Sequence, residues 1–268
     1  MVDRRENNSD PVRPSPTGPW GAPRNAPPAK SAEPPRVHVS AKRRPTWSAI
    51  FFCLVILSVG IRAYRDLSRP EAWDYWKESF FSPSMTSSMI EKSDLDGRPA
   101  LAIRGTIGVA SASWLRDRID QAHLSAGDLV LVSSPGGDLD QALIMGEIIR
   151  SHGLATAVGT ADTSGHLTKS YCASACVLVY AGGQPRYGIE GSVLGVHRFT
   201  TSLPGRDPIA DAQRITGTVL SYMTKMGVSS AIVEAMSATR DIRWLSGTEA
   251  STMNLVTNPV RQLETVRR

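Results

Sequence analysis

The amino-acid sequence predicts a mixed α/β domain with a mainly parallel sheet at residues 97–268, preceded by one membrane-spanning helix and a disordered N-terminal tail. Short apolar runs recur along residues 97–268, and most of them are followed by a segment with helical periodicity. This alternation is typical of parallel strands that are joined by crossover helices. The chain has 268 residues, of which 41% are hydrophobic, and this suffices for one domain of ordinary size plus extensions.

The predicted strands are short apolar runs, at residues 100–107, 128–133, 155–158 and 192–196. The predicted helices have apolar residues along one face or are apolar throughout, at residues 112–122, 138–151, 173–181, 211–226 and 229–238. Pro135, Gly136 and Gly137 lie between the second strand and the second helix, and they predict a turn there.

The N-terminal residues 1–45 contain ten prolines and almost no clusters of apolar side chains, so they cannot bury enough surface to fold. We therefore predict a disordered tail. Residues 1–46 carry nine basic and four acidic side chains, whereas the other 222 residues carry 21 of each sign. The net charge of +5 belongs to the tail, and the folded region has no basic excess that would indicate nucleic-acid binding.

A membrane-spanning helix is predicted at residues 46–63. The 17 residues from 45 to 61 are uncharged, they have no polar face, and basic residues bracket them. A cleaved signal peptide fits less well, because no small-residue cleavage site follows the run. More basic residues lie before the run than after it, with Lys42-Arg43-Arg44 close to its start. This distribution favours a cytoplasmic tail and a C-terminal domain outside the cytoplasm.

Residues 64–96 are predicted to form a juxtamembrane linker. Their first part contains Trp73, Tyr75 and Trp76, which suit a membrane interface, although ordinary packing would also explain them. A stretch rich in serine and methionine follows, and the α/β pattern begins at about residue 97.

Three separated segments contain the residues that could perform chemistry. Residues 133–138 end a strand, turn the chain with two glycines and begin a helix, which suits an oxyanion hole. Residues 171–176 place Ser174 among small residues where the chain enters a helix, and a strand delivers His197 at its end. Each segment alone is also compatible with a structural turn, a helix cap or a packed histidine.

Taken together, the order and spacing of these segments resemble the Clp-type protease subunit family of the wider Clp/crotonase fold. Residues 133–137 look like the Ser-Pro-Gly-Gly turn of that family, and residues 174–197 are similar to its nucleophile helix and base-bearing strand. Residues 240–250, which begin with Arg-Asp, look like the segment whose aspartate orients the histidine. The resemblance covers about residues 97–260 and is specific in these three blocks.

This resemblance implies a spiral of ββα units in which Ser174 is the nucleophile and His197 the general base. Asp241 would orient the imidazole, and the N–H groups of Gly137 and Ala175 would form the oxyanion hole. The reaction would be hydrolysis of a peptide bond in a peptide or protein substrate, without a cofactor or a metal. With the anchor, we expect a single-pass protein of a bacterial inner membrane with a periplasmic catalytic domain. The related fold also allows a homo-oligomer.

Several structural alternatives stay open at this point. The membrane anchor is foreign to soluble Clp subunits and closer to membrane-bound signal-peptide peptidases of the same fold, whose serine–lysine dyad would make Lys169 the base. Cys172 and Cys176, which flank Ser174, could form a local disulfide or be small buried hydrophobes. Residues 199–211 could border the substrate cleft or be a plain connector.

Two other classes of function compete with the serine hydrolase. The same fold could serve as a non-catalytic binding or scaffold module at the membrane. A crotonase-type acyl-CoA enzyme would hold a thioester oxyanion with paired backbone N–H groups, but it would not need Ser174, His197 and Asp241. The presence of all three favours the hydrolase.

Overall fold

The computed structural model describes residues 46–95, 97–162, 166–199 and 207–261. The chain divides into two compact units, residues 1–53 and residues 54–268. The described residues of the first unit are helical, and the sheets belong to the second. The predicted disorder of residues 1–45 lies outside the described residues, as does most of the predicted cleft segment at residues 199–211.

Helix α1 (Thr46–Leu67) is, within the described ranges, the one helix that is long and apolar enough to cross a membrane. Residues Trp47–Leu67 have a mean hydropathy of 1.8, and the apolar window is not buried against other residues. A helix of 22 residues spans about 30 Å, the hydrocarbon thickness of a bilayer. The helix continues past the predicted end at residue 63, because Arg65 and Leu67 have good helical propensity.

The expected linker at residues 64–96 contains two regular elements, α2 (Pro70–Phe80) and β1 (Met85–Ile90). Proline is favourable in the first turn of α2, because an N–H group there would have no intrahelical partner. β1 pairs antiparallel with β2 (Ala100–Gly105), so the folded domain begins earlier than predicted. The two ends of β1 are buried and its middle is exposed, so its sequence lacks the alternation that predicts a strand.

Nine further strands follow in the described part of the chain: β3 (Leu129–Ser133), β4 (Ala155–Val158), β5 (Thr160–Ala161), β6 (Leu167–Thr168), β7 (Tyr171–Ala173), β8 (Arg186–Ile189), β9 (Val193–Val196), β10 (Arg243–Leu245) and β11 (Asn258–Arg261). Six helices alternate with them in the same residues: α3 (Ser111–Gln121), α4 (Leu139–Ser151), α5 (Cys176–Ala181), α6 (Pro208–Lys225), α7 (Ala231–Ser237) and α8 (Gly247–Thr252). The four predicted strands correspond to β2, β3, β4 and β9. Four predicted helices correspond to α3, α4, α6 and α7, with small differences at their ends.

The central sheet has, among the described residues, six strands in the order β1-β2-β3-β4-β8-β11. Each neighbouring pair from β2 to β11 is parallel, whereas the edge strand β1 runs antiparallel to β2. Every residue of β3 and β4 is buried, as expected for parallel strands that are covered on both faces. The prediction of a mixed α/β fold with a mainly parallel sheet is confirmed, and the spiral of ββα units stays a prediction.

A second, three-stranded sheet has the order β10-β9-β7, and β5 pairs with β6 separately. β7 is parallel to β9, with Ala173 opposite Gly195, and β10 is antiparallel to β9. A bridge between Ser134 and Cys172 joins the end of β3 to β7. The carboxyl ends of β3, β7 and β9 therefore come together, and the three candidate segments lie there.

Helix α5 lies at the centre of the main apolar core, and all of its residues are buried. It approaches α4 closely, since a Cβ on Gly182 would lie 2.3 Å from the carbonyl oxygen of Gly146. Tyr180 is fully buried, and its hydroxyl donates to the carbonyl of Tyr187 at 3.1 Å. Burial raises the pKa of Tyr180, so this hydroxyl stays protonated. α5 is thus a fixed support for the residues that precede it.

Two arginines donate hydrogen bonds to backbone carbonyls just after the C-terminal end of α5. Arg186 is 3% exposed and donates hydrogen bonds at 2.7–3.1 Å to the backbone carbonyls of Gly183, Met226, Asn254 and Leu255. Arg150 donates to the carbonyl of Gly182 at 2.8 Å. Burial, followed by the charge of Arg150, lowers the pKa of Arg186. The carbonyls follow α5, α6 and α8, so Arg186 ties the ends of these helices to β8.

Replacing Arg186 with methionine is expected to lower the free energy of unfolding by about 3 kcal/mol, because several buried carbonyls lose their donor. Arg214→Met is the control, since its side chain is 71% exposed and forms a surface ion pair with Asp211. The control should change stability by at most about 0.5 kcal/mol. Urea unfolding followed by circular dichroism measures both. Equal losses in the two variants would contradict the role assigned to Arg186.

Candidate active site

The turn after β3 is fixed at both ends. Gly136 has a φ of +102° and Gly137 a φ of +142°, values that residues with a Cβ rarely adopt. The N–H of Ile107 donates to the carbonyl of Gly136 at 2.9 Å, and the N–H of Asp138 donates to the carbonyl of Ile107 at 2.8 Å. The Asp138 side chain then caps α4 by accepting from the N–H of Gln141 at 2.8 Å.

The N–H group of Gly137 points away from Ile107. The carbonyl of Gly136 and the N–H of Asp138 both face Ile107, and successive peptide groups of an extended chain point in opposite directions. This N–H donates to no residue in the part of the chain that the structure describes. It is a rigidly held donor at an exposed position, where an incoming ligand oxygen can reach it.

Ser174 lies in the turn between β7 and α5, with a left-handed φ of +58°. The predicted helix at residues 173–181 begins later, because Ala173 still belongs to β7 and the first helical residue is Cys176. A positive φ is uncommon in a residue with a Cβ and is found most often at functional sites. The N–H of Ser174 donates to the carbonyl of Gly195 at 2.9 Å, and its half-buried side chain bonds no described residue.

The glycine turn packs directly against Ser174. A Cβ on Gly136 would lie 2.7 Å from the Cβ of Ser174 and 3.1 Å from the backbone nitrogen of Ala175, so only glycine fits. Ala175 is 1% exposed, and its N–H, like that of Gly137, has no acceptor among the described residues. The turn therefore carries two N–H groups with no partner in that part of the chain, one on Ala175, which follows Ser174, and one on Gly137, which follows Gly136.

His197 follows β9 directly and lies at the same sheet edge as Ser174. Because Ala173 pairs with Gly195, the two parallel strands deliver Ser174 and His197 near each other. Nδ1 of His197 is 2.7 Å from the carbonyl oxygen of Arg198. A carbonyl can only accept, so Nδ1 is the donor in this contact, and in the neutral imidazole Nε2 is the nitrogen that can accept a proton.

Asp241 lies next to the strand that precedes His197, but it does not contact the imidazole. β9 and β10 pair with Val196 opposite Arg243, and Asp241 lies two residues before Arg243. The N–H of Arg198 donates to the carbonyl of Thr239 at 2.9 Å, which holds the two segments together. The Asp241 carboxylate is exposed and bonds no residue in the described ranges. Its orienting role stays a prediction.

Cys172 and Cys176 form a disulfide across Ser174, so the alternative of two unpaired buried thiols is wrong. Their Cα atoms are 5.3 Å apart, and both residues are fully buried. The bond is possible because Cys172 lies in β7 and Cys176 begins α5, with the turn at Ser174 between them. It ties together the two elements that hold Ser174.

Lys169, the alternative base, lines a polar cavity of about 260 Å³ together with Arg104, Ser133 and Ser170. Its side chain packs on Gly191, where a Cβ would lie 2.9 Å from Cδ of Lys169. None of these contacts brings its amine to Ser174. His197 has no hydrogen bond to Ser174 either, but it follows the strand that pairs with β7, and this position favours it over Lys169.

A cavity of about 230 Å³ with both polar and apolar lining residues begins at Arg198 and Phe199, directly after His197. Helices α6 and α7 supply its remaining apolar wall, with Ile215, Val219, Val233 and Met236. A cavity of this size and lining next to a candidate base suits an apolar side chain.

The sequence did not predict the backbone groups that hold the site residues in place. His197 bonds the carbonyl of Arg198, and Ser174 bonds the carbonyl of Gly195. The glycine turn bonds the main chain of Ile107. Main-chain groups have no signature in the sequence, since every residue carries them. The disulfide could be listed as an option from the two cysteines, but spacing alone did not decide it.

No protein-family model matches this sequence, and no curated protein matches it. Among solved structures, ClpP1 from Listeria monocytogenes is similar with a TM-score of 0.48 and 15% identity, covering 63% of this chain and 94% of that chain. A point mutant of the same protein gives a TM-score of 0.48 and 15% identity, covering 60% of this chain and 91% of that chain. At this identity and TM-score the similarity carries no conclusion about function.

Proposed function

We propose that this chain is a membrane-anchored serine hydrolase, specifically an endopeptidase, that acts outside the cytoplasm through Ser174, His197 and Asp241. The observation that carries the proposal is the packing of Gly136 against Ser174, next to the N–H groups of Gly137 and Ala175, which bond no described residue. An N–H on a buried residue such as Ala175 is rarely left without an acceptor, so a ligand oxygen is its expected partner.

The proposed acylation step uses these groups together. Nε2 of His197 accepts the proton of the Ser174 hydroxyl while Oγ forms a bond to the carbonyl carbon of the substrate. The carbonyl oxygen becomes an oxyanion, and the N–H groups of Gly137 and Ala175 donate to it. The C–N bond then breaks, and the imidazolium returns its proton to the leaving amine. Ser174 is left as an ester of the acyl group.

Deacylation repeats the sequence with water in place of Ser174. Nε2 takes a proton from water, the hydroxide attacks the ester, and the proton returns to Oγ as the acid leaves. The carbonyl of Arg198 keeps the required tautomer by accepting from Nδ1–H. Asp241, two residues before the start of β10, contributes in this proposal through its negative charge, which stabilises the imidazolium that forms in each half-reaction.

The proposed substrate is a peptide or protein with an apolar residue beside the bond that is cleaved. The peptide bond follows from the motif resemblance in residues 133–137, 174–197 and 240–250. The apolar preference follows from the cavity that starts at Arg198 and Phe199. The mechanism needs no cofactor, and the ββα spiral and a homo-oligomer remain part of the proposal as implications of the same resemblance.

The proposed location is a bacterial inner membrane, with α1 as a single span and the catalytic domain in the periplasm. Helix α1 has the length and hydropathy for a span. The Cys172–Cys176 disulfide supports the extracytoplasmic side, because disulfides persist in oxidising compartments and are rare in the cytosol. The basic cluster Lys42-Arg43-Arg44 before the span favours the same orientation.

The proposal is tested with a fluorophosphonate probe on the full chain in detergent. The probe forms a bond between phosphorus and an activated serine oxygen as fluoride leaves, and peptide mapping locates the label. We expect one labelled serine, Ser174, and a Ser174→Ala variant that is not labelled above background.

Ser170→Ala is the matched control, because Ser170 is a neighbouring partly exposed serine whose hydroxyl lies 2.7 Å from that of Ser133. It should retain the labelling rate. Labelling that persists in Ser174→Ala would contradict the assignment of the nucleophile. A folded wild-type chain that takes up no probe would favour the non-catalytic scaffold.

A further inference from the structure

Helix α2 presents its polar side to the protein and its aromatic side to the outside. At about 100° per residue, Trp73, Trp76 and Phe80 share one side of the helix, and Tyr75 and Glu78 lie on the opposite side. A surface helix of a soluble domain normally has the reverse arrangement, with its apolar side towards the core. This inversion calls for a partner outside the domain.

The polar side of α2 is bonded to the start of α3. The Glu78 carboxylate accepts from the hydroxyls of Ser84 and Ser111, and from the N–H of Ala110 at 3.3 Å. The Tyr75 hydroxyl lies 3.3 Å from that of Ser113. Several contacts from two consecutive turns fix the rotation of the helix about its axis, so the aromatic side cannot turn inwards.

The aromatic side is exposed, although it is bulky. Trp73 is 56% exposed, Trp76 47%, Phe80 66% and the adjacent Phe81 79%. Trp76 and Phe80 stack on each other with centroids 4.9 Å apart, and the Lys77 amine lies 5.8 Å from the Trp73 ring. A contiguous aromatic patch of this kind marks an interaction surface.

We propose that the aromatic side of α2, formed by Trp73, Trp76, Phe80 and Phe81, lies in the headgroup layer of the membrane that α1 spans. Two residues separate the end of α1 at Leu67 from the start of α2 at Pro70, so α2 starts within about 10 Å of the end of α1. Tryptophan beside a lysine is the composition that favours the interface between lipid and water.

This inference rests on the membrane attachment in the proposed function and adds an orientation to it. Because Glu78 and Tyr75 fix α2 to the domain, a helix lying in the headgroup layer also fixes which side of the domain faces the bilayer. The domain is then a fixed body on the membrane surface. The flexible linker that was predicted at residues 64–96 would instead let the domain change its orientation relative to the membrane.

The test uses nitroxide spin labels on the full chain in vesicles of phosphatidylethanolamine and phosphatidylglycerol. Cys53, the free cysteine within the described residues, is labelled in the wild-type chain and reports on α1. Trp76→Cys and Asp74→Cys are labelled in a Cys53→Ser background. Asp74 is the matched control, since it is exposed and lies on nearly the opposite side of α2. Collisions with oxygen report lipid, and collisions with a nickel chelate report water.

We expect the ratio of oxygen to nickel collisions to be several-fold higher at position 76 than at position 74. Similar, water-like ratios at both positions would overturn the inference. A label at position 76 that is shielded from both reagents would overturn it too, because protein would then cover this side. If either of these results at position 76 came with a lipid-like collision ratio at Cys53, α1 would still be in the membrane. Only the proposed placement of α2 would then be wrong. Water-like values at Cys53 would overturn both.

Discussion

Replacing His197 with alanine is expected to lower the rate of fluorophosphonate labelling at Ser174 by about 10³-fold. In the proposed mechanism, Nδ1–H donates to the Arg198 carbonyl and Nε2 accepts the proton of the Ser174 hydroxyl. His197 follows β9, which pairs with the strand that precedes Ser174, so the proposal assigns it the role of base. The second-order rate constant of labelling, measured on the full chain, gives the effect directly.

His152→Ala is the matched control for this variant. His152 is also partly buried, and its Nδ1 also bonds a backbone carbonyl, that of Ile148 at 2.8 Å. Its loss should change the rate by no more than about twofold, because it lies at the end of α4, outside the site. Asp241→Asn should fall between the two, since the Arg198 carbonyl already holds the tautomer. A His197→Ala variant that labels as fast as the control would remove His197 from the mechanism.

The parallel strands of the central sheet were predictable because strands that are buried on both faces have an unbroken run of apolar residues. β3 and β4 are buried at every residue, and both read as unbroken apolar runs. β1 and β10 have no such apolar run, because β1 has an exposed polar middle and β10 is short and partly exposed. β1 forms through its pairing with β2, the next strand along the chain, and β10 through its pairing with β9, which is distant in the sequence. Such pairing depends on the tertiary fold and leaves little local pattern.

The candidate site was predictable in its residue types and less so in its geometry. The glycine turn, Ser174 and His197 could be identified from the sequence, because strands end at or near each of them. The contact between Gly136 and Ser174 requires the bridge that joins the end of β3 to β7. The partner of His197 could not be read, because it is the main chain of Arg198 rather than the Asp241 carboxylate.

The predicted start of the helix at residue 173 was too early, and this error affected the prediction for Cys172 and Cys176. A continuous helix at residues 173–181 would have made a disulfide between residues 172 and 176 awkward, because helical geometry directs the two side chains unfavourably. The structure keeps β7 extended to Ala173 and starts α5 at Cys176. The reversal of the chain at Ser174 brings the two Cα atoms to 5.3 Å, within the range that a disulfide bridges.

Replacing both Cys172 and Cys176 with alanine is expected to lower the labelling rate of Ser174 by about tenfold and to reduce the melting temperature. The left-handed backbone of Ser174, with a φ of +58°, costs about 1 kcal/mol and persists only where its surroundings hold it. The disulfide closes a loop of five residues around this position, and a loop of that length adds about 2 kcal/mol of stability. Without it, the turn can relax and carry the N–H of Ala175 away from that of Gly137.

Labelling and thermal unfolding of the double variant separate positioning from global stability. Labelling is measured far below the melting temperature, so that only the folded state contributes. Cys53→Ala is the control, because Cys53 is exposed in α1 and remote in sequence from the site. A double variant that melts earlier but labels at the wild-type rate would show that the disulfide stabilises the fold without positioning Ser174. Reduction is a poorer test, because both cysteines are fully buried and a reductant reaches them only when the domain opens.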